Sequence, residues 1–187
     1  MYITTSKRRK RAKHQTERGD PCASVSLRVR IRRFQDADFG ALIKITMLAF
    51  APIHESFREV LGRRIFDIVY PDWRKAHRKY LTSLCKGEDK RNILVAEVGE
   101  TVVGFASYSF NREKKSGELG LNAVHPKYQR KGIATKMYRH TLKKMKAEGI
   151  RVVHVGTGGD PSHLPARRAY EKCGFVALPL VRYYVSL

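Results

Sequence analysis

The run Val124-His125-Pro126-Lys127-Tyr128-Gln129-Arg130-Lys131-Gly132-Ile133-Ala134 decides how the rest of the chain is read. Residues 118–124 before it form a β-rich stretch, and Pro126 ends that strand because proline brings no N–H to a ladder. After it, Ile133, Met137, Thr141 and Met145 recur at helical spacing over 133–148, with Tyr138 and Leu142 beside them, and Gly149 supplies the stop. A loop that hands a strand to a helix can aim several main-chain N–H groups at one point, and the helix N-terminus adds positive partial charge. That combination suits a phosphate. Gly132 lets an anion approach the backbone closely, and Arg130 and Lys131 add charge-assisted contacts.

Working outward, residues 92–98 and 101–110 are two strands joined at Gly99-Glu100, a link short enough for an antiparallel hairpin. Downstream, 151–155 reads as a strand and 156–161 as a mobile loop. A helix over 162–173 is closed by Gly174, and 181–185 reads as a last strand. Upstream, Val25, Leu27, Val29 and Ile31 alternate with polar residues as in a half-buried strand. Asp36 is positioned to cap a helix carrying Leu42, Ile45, Met47 and Leu48. Further helices over 55–69 and 73–85 are set apart by Pro52 and Pro71.

At 187 residues the chain fits one domain, 25–187, preceded by a basic tail over 1–24 that has no apolar period. Lys plus Arg total 38 against 17 Asp plus Glu, a formal charge of +21 that draws polyanions of several kinds. Lys7, Arg8, Arg9, Lys10, Arg11, Lys13 and Arg18 put part of that charge in the tail. Cys22, Cys85 and Cys173 stand apart, without metal-ligand or disulfide-scaffold spacing, which points to the cytoplasm and to no metal. Mean hydropathy is -0.44 and no apolar run reaches a membrane span, so no membrane partner is expected.

The segment Gln129-Arg130-Lys131-Gly132-Ile133-Ala134 resembles the Gln/Arg-x-x-Gly-x-Gly/Ala coenzyme A loop of the GNAT N-acetyltransferases. A second segment, Ala166-Arg167-Arg168-Ala169-Tyr170-Glu171-Lys172-Cys173-Gly174-Phe175, resembles that family's Ala-x-x-x-Tyr-x-x-x-Gly-Phe helix. The likeness covers residues 29–187, most closely from 92 onward. It implies an α/β (α+β) fold with a mixed, mostly antiparallel sheet of six or seven strands between helices, whose parallel fourth and fifth strands splay apart. It also implies acetyl-CoA as acyl donor. The loop from Gln129 to Ala134 would hold the diphosphate, and the main chain of Asn122, Ala123 and Val124 would hold the pantetheine arm. His163 stands where many relatives have a cofactor-contacting asparagine, and its imidazole can donate one hydrogen bond.

Strand alternation over 118–124 puts Leu119, Leu121 and Ala123 on one face and Glu118, Gly120 and Asn122 on the other, a polar face fit to line a cleft. Acetylating an amine requires a neutral nucleophile, so a carboxylate there can take the ammonium proton once burial raises its pKa. Glu118 occupies that face, and its position matches the general base of some GNAT enzymes; His154 and His163 stand as alternatives. The structural alternative for Glu118 is a strand-end ion pair with Lys114 or Lys115. Cleaving a thioester releases a thiolate that a nearby tyrosine hydroxyl can protonate. Tyr170 matches the family residue with that role; its alternative is packing on Phe175 with the hydroxyl at the surface.

The expected reaction is direct acetyl transfer from acetyl-CoA to a primary amine, by a monomer or homodimer. A second, less favoured reading is a nucleic-acid or ribosome-associated module on the same scaffold. It would act through the tail and the face of Lys136, Arg139, Lys143, Lys144 and Lys146.

Overall fold

A computed structural model describes residues 27–88 and 90–187; the basic tail and the domain boundary at 25 lie outside the described residues. Strand β1 (Val29–Arg33) leads through a short 3-10 turn into helices α1 (Phe39–Val69) and α2 (Trp73–Cys85). Strands β2 (Asn92–Val98), β3 (Thr101–Asn111) and β4 (Ser116–Val124) follow, then α3 (Ile133–Ala147), β5 (Val152–Val155) and α4 (Leu164–Glu171). The sheet order is β1-β2-β3-β4-β5, antiparallel at every step except the parallel β4–β5 pair.

Each face of the sheet has its own apolar layer. Leu94, Ala96, Val103, Tyr108 and Leu119 meet Ile133, Met137, Tyr138 and Met145 of α3 and Tyr170 of α4. Ile93, Val95, Phe105 and Ala123 meet Leu42, Ile43 and Ile45 of α1 and Leu81 and Leu84 of α2. Full burial of each such side chain is worth about 1.5–3 kcal/mol, so both helix layers are held mainly by their apolar stripes. The stretch 36–69 is long and apolar enough to cross a bilayer by length and composition. Its buried Leu42, Ile43 and Ile45 are instead packed on β2 and β3 residues.

Several expectations are corrected here. The sheet of six or seven strands has five among the described residues, because 181–185 finds no partner. Alternation marks a segment able to form a strand, but a strand exists only where a neighbour's ladder accepts it. Pro52 does not divide the first helices: α1 runs through it and breaks at Gly62, where φ is 73° and ψ is 159°. The carbonyl that loses its donor is that of Leu48, a residue on the exposed side of α1, where water can replace the missing bond. The cap expected of Asp36 is not made: Asp38, the residue before α1, has no side-chain bond to an amide of that helix, and its Oδ2 instead accepts from the Gln35 amide at 2.8 Å across the 3-10 turn. Asp38 is buried and clamped by two bonds from Arg32, which also binds the buried Glu97 at 2.5 Å.

One irregularity shapes the centre of the sheet. Between the pairs Ala106↔Asn122 and Tyr108↔Leu119, β3 advances two residues while β4 advances three. The extra residue at Gly120-Leu121 is a β-bulge, which bends its strand and increases its twist. Parallel pairing with β5 stops there, at Leu119↔Val155, and β4 continues alone on that side to Val124. The splay expected between the fourth and fifth strands therefore opens at the bulge.

Candidate active site

The loop after β4 makes a 3-10 turn at Pro126–Tyr128 and enters α3 through two left-handed residues, Arg130 (φ 61°) and Gly132 (φ 76°). Such curls turn successive N–H groups toward one side. Lys136 N donates to Gly132 O at 3.0 Å, the first bond of α3. Among the described residues, the main-chain amides of residues 130–135 have no protein acceptor. A Cβ built on Gly132 meets nothing within 4 Å, so the chain is uncrowded on that side of the loop. Six unmade N–H groups at a helix start, flanked by Arg130 and Lys131, are the donor set a diphosphate requires, and the loop fits one.

Gln129 is spent internally: its Nε2 donates to Val124 O at 3.0 Å, bracing the loop against the strand. That bond engages the carbonyl of Val124, one of the residues whose main chain was expected to hold a pantetheine arm. Gly120 to Val124 still line the side of β4 that β5 leaves open, so Asn122, Ala123 and Val124 lie along the splay.

The bulge corrects the grouping of Glu118, Gly120 and Asn122. Leu119 packs in the α3 layer, whereas Leu121 and Ala123 pack in the α1–α2 layer. Glu118 pairs with Ser109 on β3 and His154 on β5, and its Oε2 accepts from Arg91 at 2.7 Å. The ion pair of the structural alternative is therefore present, with Arg91 in place of Lys114 or Lys115, and the Glu118 side chain is 37% exposed where the catalytic reading expected burial. A Cβ on Gly120 would meet Ser107 Oγ at 2.6 Å and Arg91 at 2.7 Å, so only glycine lets those two side chains pack this closely on the β4 backbone beside Glu118. Ser107 Oγ is buried there with no hydrogen-bond partner. His154 is exposed on the edge strand.

Asn122 faces the other way, into a polar knot inside the α3 layer. Its Oδ1 accepts from Tyr138 at 2.6 Å, and its Nδ2 donates to Gly120 O at 2.9 Å and to the Tyr170 hydroxyl at 3.2 Å. Tyr138 and Tyr170 stack at 5.0 Å. Tyr170 does meet Phe175 edge-on, at 5.8 Å, but its hydroxyl is not at the surface: it points at the open stretch of β4. Burial pushes the Tyr170 hydroxyl up despite hydrogen bonds to Asn122 and Tyr138, and burial holds Tyr138 higher still. Both stay protonated at neutral pH. Glu118, in the paired stretch of β4 just before the bulge, and Tyr170 therefore lie on opposite faces of the sheet.

The loop 156–161, whose run from Gly156 to Gly159 was expected to be mobile, is tied to its surroundings at Gly158 and Asp160. Arg167 donates to Gly158 O at 2.7 Å and to Asp160 O at 2.8 Å, and Ser56 of α1 donates to Asp160 at 3.2 Å. His163 Nδ1 donates to Asp160 Oδ1 at 2.5 Å, leaving Nε2 as the ring's second nitrogen. Burial opposes the charge on Asp160, but bonds from Ser162, His163 and Ser56 outweigh it and hold the carboxyl below its ordinary range. The sequence reading missed this anchoring. The Asp-Pro-Ser-His run at 160–163, whose aspartate caps the turn through Ser162 N at 3.0 Å, was the signal for it. On the basic face of α3, Lys136 bonds to Val29 O at 2.6 Å and Arg139 to Lys172 O at 3.3 Å, so two of its five cations are engaged.

The sequence profile of the Acetyltransferase (GNAT) family matches residues 57–175, well over half of the chain. The chain belongs to the GNAT acetyltransferase family. Its fold recurs in a GNAT-family protein from Desulfovibrio desulfuricans, at 18% identity and a TM-score of 0.61 over 81% of this chain and 87% of that one. It recurs also in the PaiA N-acetyltransferase of Thermoplasma acidophilum in complex with coenzyme A, at 16% identity and 0.57 over 76% and 87%. A GNAT acetyltransferase of Brucella melitensis in complex with acetyl-CoA gives 22% and 0.55 over 81% and 84%. These likenesses concern the GNAT fold. No curated protein matches the sequence.

Proposed function

We propose that the protein is an N-acetyltransferase that moves an acetyl group from acetyl-CoA to a primary amine by direct attack. One observation carries this reading: the open amides of residues 130–135 stand at the end of the strand that splays from β5. A diphosphate on those amides leaves the splay as the channel for the pantetheine arm, along the main chain from Asn122 to Val124. When bound, acetyl-CoA supplies the activated acyl group. Glu118 accepts the proton of the incoming ammonium, directly or through water, with Arg91 fixing its orientation. Tyr170, protonated and fixed through Asn122, delivers a proton toward the departing sulfur.

The reading is tested by free-thiol release from acetyl-CoA across a panel of primary amines, with Glu118→Gln in parallel. An amine-dependent rate that this substitution lowers supports the assignment. Thiol release that no amine accelerates would remove it.

A further inference from the structure

Between the end of α1 and the start of α2 lies a cavity of about 570 Å³. Five rings line it: Tyr70, Trp73, Tyr80, His54 and His77. His54 stacks on Trp73 at 4.2 Å and shares an Nε2–Nε2 hydrogen bond of 3.2 Å with His77. Burial lowers the pKa of His54 to about 4 and also lowers that of His77, so both rings are neutral at physiological pH and behave as further flat, uncharged wall.

The cavity is tied to the candidate active site by a ladder of rings. Tyr70 stacks on Phe57 at 5.4 Å and 29°, and Phe57 stacks on His163 at 5.7 Å and 27°. His163 begins α4, the helix that carries Tyr170, and its partner Asp160 ends the loop that follows β5. The rim is basic. Lys75 and Lys79 line it, and Arg74 covers the outer face of Trp73 at 4.3 Å. The lining acid, Asp72, spends an oxygen capping α2 through Lys75 N at 3.1 Å. A polycation is repelled by this rim, whereas an aromatic ring can pack against Tyr70, Tyr80 and the edge of Trp73, whose faces His54 and Arg74 already cover, and an anionic group complements the lysines.

We propose that this cavity is the acceptor pocket, and that the acceptor is a primary amine bearing both an aromatic ring and a carboxylate. The proposal rests on the acetyltransferase reading for the word acceptor; binding to the cavity can be measured apart from it. Trp73 is the single tryptophan of the chain and lies in the cavity wall, so its fluorescence reports occupancy.

The experiment titrates the full chain, without acetyl-CoA, with L-phenylalanine, phenethylamine and spermidine, up to roughly 10 mM, above the usual range of KM. L-phenylalanine should quench Trp73 saturably. Phenethylamine, lacking the carboxylate, should bind about fivefold more weakly, the loss expected of one exposed ion pair, and spermidine should have no effect. Lys79→Glu should reverse the order of the first two, and Ala76→Phe, on an exposed position of the lining, should abolish quenching by filling the space. An unresponsive Trp73, an equal response to spermidine, or a signal that follows protein concentration instead of ligand would overturn the proposal. A parallel acetyl-CoA titration by calorimetry keeps the two readings apart. Acetyl-CoA binding without quenching defeats the pocket alone, whereas quenching without acetyl-CoA binding removes the acceptor role.

Discussion

Replacing Tyr170 by phenylalanine should separate chemistry from stability at one position. The hydroxyl touches Asn122 Nδ2 at 3.2 Å, but Asn122 keeps Gly120 O at 2.9 Å through the same nitrogen and Tyr138 at 2.6 Å through its oxygen. No buried polar atom of Asn122 is therefore orphaned. The cost is one ordinary hydrogen bond, about 1 kcal/mol, which lowers Tm by about 2–4 °C in a chain of this size. The catalytic cost is larger, since losing a positioned acid removes about 10²–10⁴ in rate. The pH dependence follows from the raised pKa. The wild-type hydroxyl is protonated at neutral pH and begins to lose its proton only above the ordinary tyrosine value of 10.0, so kcat declines on that alkaline side. The variant has no such proton to lose, and its residual rate should not show that decline. The assay is thiol release with a saturating amine over pH 6 to 11, beside a thermal melt. A folded Tyr170→Phe protein with kcat within about twofold of wild type would refute the role given to the hydroxyl.

Three further outcomes follow from the same structure. Glu118→Gln keeps the shape beside Arg91 but cannot take a proton, so kcat/KM should fall by about 10²–10⁴; unchanged turnover would move proton acceptance to His154 or His163. Glu97→Ala strips the buried carboxylate that receives Arg30 and Arg32, leaving Arg32 with Asp38 as its acidic partner, and should cost about 3 kcal/mol in urea unfolding; a loss below about 1 kcal/mol would contradict the buried network. His54 has a folded pKa of about 4, below its ordinary 6.5, so its contribution is present above pH 6.5 and lost as pH falls toward 4, by about 3 kcal/mol at most. His54→Phe should flatten that part of the stability–pH curve, and an unaltered slope would show that His54 does not cause it.

What could be read from the sequence depended on whether the signal was local. The loop at 126–132 was legible because proline, glycine and helical periodicity fix chain direction within a few residues, and the observed left-handed Gly132 and the start of α3 follow from them. The hairpin at Gly99 was legible for the same reason. The bulge at Gly120-Leu121 was not. It is a mismatch in register between two strands, and a period-two pattern in one strand carries no count of the other. That single residue moved Leu121 and Ala123 to the face opposite Leu119 and sent Asn122 to Tyr170 rather than to Glu118. Likewise, residues 181–185 carry strand alternation, yet Val181, Tyr183 and Val185 are 73%, 89% and 79% exposed, because pairing depends on a neighbour. The ring ladder from His163 to Trp73 joins three separate segments, a proximity that no local pattern encodes.

The central claim is that main-chain amides at the start of α3 hold the diphosphate of acetyl-CoA. Calorimetric titration of acetyl-CoA into wild type, Gly132→Ala and Gly132→Glu tests it directly. Alanine meets no atom within 4 Å and bears only the left-handed strain of about 1–2 kcal/mol, so binding should persist, weakened by no more than that strain. Glutamate projects a carboxylate into the space the phosphates need, and affinity should drop by roughly a hundredfold or more. Three equal affinities would place the cofactor somewhere other than this loop.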